Sequence, residues 1–272
     1  MTRISKIMKA DEETFKILEE NTSIILALFK NSKIQKTSQV LFMLIGKIMV
    51  IKNAILDLQE SENVYSINIL FRSLIEHHLR FMYVFMKSIE TKDDSIGADF
   101  LETLLLKEQY DIGKSYVKVA KILGKERKAS WEDLSGMNLN PNNLSLKYVE
   151  EKAKDFTYSK IIEFVDQRIN KTKDFDSNFL LKIIPKYADL SSFVHGGPLS
   201  DKYVTEWSVK NKISNEIENQ VELAFMTFHA AVHMAFLIFY QHDNRFDKPY
   251  LQLGILMKAL NDSIKNQSTE KL

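Results

Sequence analysis

Residues 63–87 read NVYSINILFRSLIEHHLRFMYVFMK, a segment whose pattern admits only a helix packed inside a bundle. At about 100° per residue, Ile67, Leu70, Phe71, Leu74, His78, Phe81, Met82 and Phe85 fall on one face of a predicted helix. Most of the remaining circumference is apolar too, which is the pattern of a helix enclosed by other helices. It therefore needs helical neighbours on most sides, and the flanking sequence supplies them.

Upstream, periodicity predicts a helix over residues 11–31, with Asp11 as its cap and Phe15, Leu18, Ile25 and Phe29 at helical spacing. A second is predicted over 38–60, with Leu41, Leu44, Ile48, Ile51, Ile55 and Leu58 on one face. Downstream, a helix over 98–123 leads to a polar, Asn-rich connection at 137–143 broken by Pro141. Shorter helices are expected over 148–156 and 158–170. The next spans 178–195, capped by Asp176 or Ser177 and kinked at Pro185. A long helix over 213–242 follows, and the last starts near Asp247, with Pro249 in its first turn, fading after Asn266. With no internal repeat and no long linker, the expectation is one all-α domain over residues 1–272, a multi-helix bundle.

Composition agrees. The 272 residues include 8 Gly and 4 Pro, too few for the many tight turns of a sandwich or barrel. Lys and Arg (37) nearly balance Asp and Glu (36), so bulk electrostatics would not hold the chain on nucleic acid, although local patches would remain. The absence of Cys removes disulfides, thiol catalysis and thiolate metal sites, and fits a cytoplasmic location. The first turns mix charges without an apolar core, so no secretory leader is expected. Residues 40–51 are strongly apolar but about half the length of a span, and include Lys47; residues 225–240 hold His229 and His233. Both are expected to be core helices, with no membrane partner.

One constellation departs from a plain helical core. Arg72 and Glu76 sit one turn apart, away from the main apolar face, among Tyr65, Ile69, Leu79 and Tyr83. Charges in an apolar wall are costly unless paired, so the pair serves either helix register or a site. Tyr187, Ser191 and His195 form a second polar stripe at i, i+4 and i+8, ended by Gly196, Gly197 and Pro198. His195 is thus expected at a helix carboxyl end, where the macrodipole favours the imidazolium. A His to move protons, an Arg to neutralise phosphate charge and a carboxylate to orient either are the groups of metal-free phosphodiester chemistry. Ser191 and Tyr187 would bind phosphate or position the His. A buried network fixing two helices in register uses the same residues.

Lys114, Lys118, Lys121 and Lys125, with Arg127 and Lys128 beyond, form a basic stripe able to touch successive phosphates, or a solvated helix face. His229 and His233 are one turn apart, but lack a third ligand nearby and are expected in the core, like His78; no metal or cofactor is expected.

The segments FRSLIEHHLRF (71–81) and KYADLSSFVHGG (186–197) resemble a family of uncharacterised bacterial all-helical proteins. That family pairs an Arg-x-x-x-Glu helix with a later Tyr-x-x-x-Ser-x-x-x-His helix ending in glycine. RSLIEH, with Arg72 and His77, is also similar to the Arg-x4-6-His signature of the HEPN (higher eukaryotes and prokaryotes nucleotide-binding) superfamily, though it falls earlier in the chain than is usual there. That resemblance implies a HEPN-like core with additional helices and a dimeric, metal-independent endoribonuclease of toxin–antitoxin or phage-defence systems, acting with a partner protein encoded nearby. In that reading His195 or His77 moves protons, Arg72 steadies the phosphorane and Glu76 orients Arg72. The alternatives are a non-catalytic helical module binding a small anionic ligand or a partner protein, and a purely structural network.

Overall fold

The computed structural model describes residues 3–125, 130–132, 142–169, 177–209 and 212–269. Every regular element among them is helical. In chain order they are α1 (Arg3–Glu20), α2 (Thr22–Asn31), α3 (Gln35–Gln59), α4 (Val64–Thr91) and the single turn α5 (Ser95–Ala98). A π-helical segment (Asp99–Leu104) runs straight into α6 (Leu105–Ile122). Then come α7 (Leu146–Lys154), α8 (Tyr158–Ile169), α9 (Ser177–His195), α10 (Pro198–Val209), α11 (Ile213–His242), a 3-10 turn (Asn244–Phe246) and α12 (Asp247–Thr269).

The 63–87 stretch is the centre of α4, as its apolar circumference predicts. α4 packs against α3, α11, α9, α8 and α5, and Phe71, Leu74, Phe81 and Val84 are fully buried. α3 and α11 are long and apolar enough to cross a membrane by length and composition. In this fold they pack on α4 and on each other, and Val40, Leu44, Phe228 and Phe236 are buried in the common core.

Several boundaries differ from those the periodicity predicts. Asp11 is no cap: α1 begins at Arg3, and the Asp11 carboxylate instead pairs with Lys52 of α3 inside the bundle. The expected 11–31 helix is two helices, broken at Asn21, whose side chain donates to the Ile17 carbonyl (2.8 Å). The expected 98–123 helix opens with π geometry, in which the Thr103 hydroxyl bonds back to the Asp99 carbonyl. α9 continues through Pro185, with Asp176 outside the described residues. Pro141, Arg127 and Lys128 are also outside them. Pro198 does more than end α9: it starts α10, where its missing N–H costs nothing.

Two close approaches fix the edges. Asp94 caps α3 from a distant part of the chain, accepting from the Thr37 and Lys36 amides at 2.7 and 2.9 Å. That lets α5 press on the start of α3 so tightly that a Cβ on Gly97 would lie 2.1 Å from the Thr37 nitrogen. At the other motif helix, Gly196 takes φ +62° and the Gly197 amide reaches the Ser192 carbonyl (2.8 Å), closing α9.

Candidate functional site

On α4 the polar residues Tyr65, Arg72, Glu76 and Arg80 follow one another at helical spacing, and α9 lies along this stripe. Tyr65 donates to the Phe193 carbonyl (2.9 Å) and its ring packs on that of Phe193, which is buried. One end of α9 is thereby held. In the middle, Arg72 is engaged along its whole guanidinium. Nε donates to Ser191 Oγ (3.2 Å), Nη2 to the Tyr187 hydroxyl (2.9 Å) and Nη1 to Glu76 Oε2 (3.4 Å). The group also lies 4.5 Å from the Tyr187 ring centroid, a cation–π contact. Ser191 in turn donates to the Tyr187 carbonyl (2.9 Å), so its oxygen is oriented to accept.

The Arg72 and Glu76 pairing expected from sequence is therefore present, and the two motif helices touch through it. Glu76 is shared: its other oxygen accepts from Arg80 Nη2 at 3.0 Å. Two guanidiniums thus divide one carboxylate, leaving one net positive charge in a half-buried place. Tyr187 stacks on Tyr158 of α8, with ring centroids 3.7 Å apart. Burial, followed by the nearby Glu76 charge, pushes the Tyr187 phenol above its usual range. Tyr158 is pushed up by burial and by Tyr187. Both phenols therefore stay protonated near neutral pH and serve as hydrogen-bonding groups, not bases.

Arg80 and Tyr158 also line an open cleft of about 630 Å³ between α4, the start of α6, α7 and α8. Lys107 and Lys154 add positive charge, and Glu108, Asp111 and Glu150 add negative charge. Asp111 is already held by Lys107 and by Lys114 (3.1 Å). Thr157 and Tyr158, at the amino end of α8, face the cleft, where the helix dipole favours an anion.

The other sequence candidates are not in this group. His195 is exposed at the carboxyl end of α9, one turn past Ser191 and outside the hydrogen-bonded set. His77 lies about 140° around α4 from Arg72. Burial first, then the charges of Lys47 and Arg80, lower its pKa to about 4. The two residues of the Arg-x4-6-His pair thus serve different surfaces. Lys114 rests over the Tyr110 ring (4.6 Å), and Lys118 is exposed. His229 is in the core, bonded to Thr14 Oγ1 (2.8 Å), and His233 stacks on Tyr250 (5.0 Å). Among the described residues no cluster of three or more His, Asp or Glu is placed to hold a metal ion.

Arg80 and Tyr158 were missed by sequence reasoning. Arg80 was within reach, because it extends the Arg72–Glu76 spacing by one more turn; Tyr158 had no local signal, since its role comes from tertiary stacking. No family model matches the chain, and no curated protein or solved structure compared with it is significantly similar.

Proposed function

We propose that this is a cytoplasmic, non-enzymatic helical module that binds a small anionic ligand in the cleft beside Arg80. The observation carrying this reading is the uneven charge at the rim: Arg72 and Arg80 share Glu76, and Arg80 alone of the three lines the open cleft. Arg72 is consumed by Glu76, Ser191 and Tyr187, so it acts as a scaffold that holds Glu76 and, through it, Arg80. An anionic group in the cleft meets Arg80 and the amino end of α8 together, Lys107 being already paired with Asp111.

The test is a thermal-shift panel of inorganic phosphate, nucleoside phosphates and dicarboxylates on the wild type and on Arg80→Ala. A ligand at a hundredfold excess over its Kd stabilises the fold by about 2.7 kcal/mol, a rise of several degrees in Tm. The rise should vanish in Arg80→Ala. If no anion in the panel shifts Tm, or the variant responds as the wild type does, the reading is wrong.

One observation favours a second reading, the HEPN-like ribonuclease. His195 is solvent-exposed on the same helix that carries Tyr187 and Ser191, where an RNA strand could reach it. RNA cleavage by the wild type in EDTA, lost in a still-folded His195→Ala variant, would replace the binding reading with that one.

A further inference from the structure

We infer that α6 is a docking helix for an anionic lipid surface. The observation is an exposed amphipathic face beyond the cleft. Leu105, Ile112 and Val119 recur at seven-residue intervals and are 50%, 55% and 53% exposed. Leu123, at the helix end, continues the row at 64%, and Ile122 beside it is 83% exposed. An apolar face open to water over this length is not that of an ordinary solvated helix.

The opposite face is basic. Lys114, Lys118 and Lys121 share it, Lys125 follows just past the helix end, where Gly124 takes φ +67°, and no acidic residue occurs from Ile112 to Lys125. Among the described residues, Lys118, Lys121 and Lys125 form no ion pair, whereas Lys114 is held by Asp111. The whole chain carries only +1, so this charge is local to α6.

Three occupants can be weighed against these two faces. An RNA backbone would use the lysines and leave the apolar row bare. A second copy would cover the apolar row but set two basic helices side by side. An anionic membrane surface satisfies both faces at once. A helix lying in that plane sinks about 5–10 Å, close to its own diameter, so the apolar row enters the acyl boundary while the lysines stand among the headgroups. From sequence the Lys stripe reads as a phosphate contact or a solvated helix face; a lipid surface is not legible there, because the exposure of the apolar row is a tertiary fact.

The experiment is flotation of the full-length protein with vesicles of phosphatidylcholine alone, and of phosphatidylcholine mixed with phosphatidylserine, at about 0.1 M salt. Two paired variants accompany it, Lys118→Glu/Lys121→Glu and Ile122→Ser/Leu123→Ser, all at exposed positions and checked for folding by circular dichroism. The wild type should float with the anionic vesicles and not with the neutral ones. Each variant should lower partitioning roughly tenfold or more. Equal behaviour with the two vesicle types overturns the inference. So does a gel shift with RNA that needs the lysines but ignores the apolar pair, which would make α6 a nucleic-acid surface. A dimer in sedimentation equilibrium that the apolar pair breaks, without vesicle binding, would make it a self-association face.

Discussion

Arg72 and Lys52 show how differently two cations can be settled in one bundle. Arg72, with a side chain 17% exposed, spreads its donors over Ser191, Tyr187 and Glu76. Removing it strands these partners in a half-buried place. Arg72→Ala should therefore cost about 2 kcal/mol in urea titration, less than a fully buried pair because water screens the site. Arg72→Lys should recover little, since an ammonium cannot copy the planar fork. Lys52 is fully buried: its ammonium pairs with Asp11 and lies 4.5–5.2 Å from the ring centroids of Phe15, Phe225 and Phe228. Burial lowers its pKa and raises that of Asp11, while their contact opposes both shifts. Lys52→Met alone should destabilise by about 3–5 kcal/mol, because Asp11 is left unpaired, and Asp11→Leu added to it should restore most of the loss. If the double variant melts no higher than the single one, the pair is not the reason. The two cations were unequally legible. The Arg72 pair is written within five residues, whereas the Lys52 pair joins positions far apart in the chain and leaves no local pattern.

At the scale of elements, periodicity located most of the helices but missed α10 (Pro198–Val209) and misjudged starts and breaks, because those depend on contacts between elements. The beginning of α3 is set by Asp94, and the break at Asn21 by a side-chain bond to Ile17. The π segment Asp99–Leu104 looks like ordinary helix in sequence, since one extra residue per turn changes no composition. Gly97 is the clearest consequence of α5 meeting α3. Gly97→Ala places a methyl group against backbone atoms that cannot turn aside, so a loss of several kcal/mol is expected on thermal or urea unfolding. Asp94→Ala should cost about 1 kcal/mol through the lost cap. Indifference to Gly97→Ala would mean that α5 does not press on the start of α3.

For the whole molecule, His78 and His229 tie stability to acidity. Burial lowers both pKa values to about 3, with Lys52 adding to the effect at His229. The unfolded chain takes up these protons near pH 6.5 and the folded chain does not. Each residue thus contributes stability that is fully present above pH 6.5 and is lost as the pH falls toward 3. At pH 5 the loss is about 2 kcal/mol for each. The urea midpoint should fall between pH 7.5 and pH 5, and the fall should shrink in His78→Leu; a flat profile would mean that these histidines are hydrated. The sequence already placed both in the core. Their shared titration follows from the depth of α4 and α11, which only the packed bundle shows.

The placement of α1 bears on how the chain is made. Thr14 on α1 bonds to His229, 215 residues further on, and α1 packs on α11 and α12. A ribosome working at about 5–20 residues per second releases the partners of α1 roughly 10–40 seconds after α1 itself. During that interval Lys52 and Asp11 can find each other, but the phenylalanines of α11 that enclose them do not yet exist. The nascent chain therefore carries an incomplete charged core until α11 has been made, and it is in this interval that a holdase chaperone has most to protect.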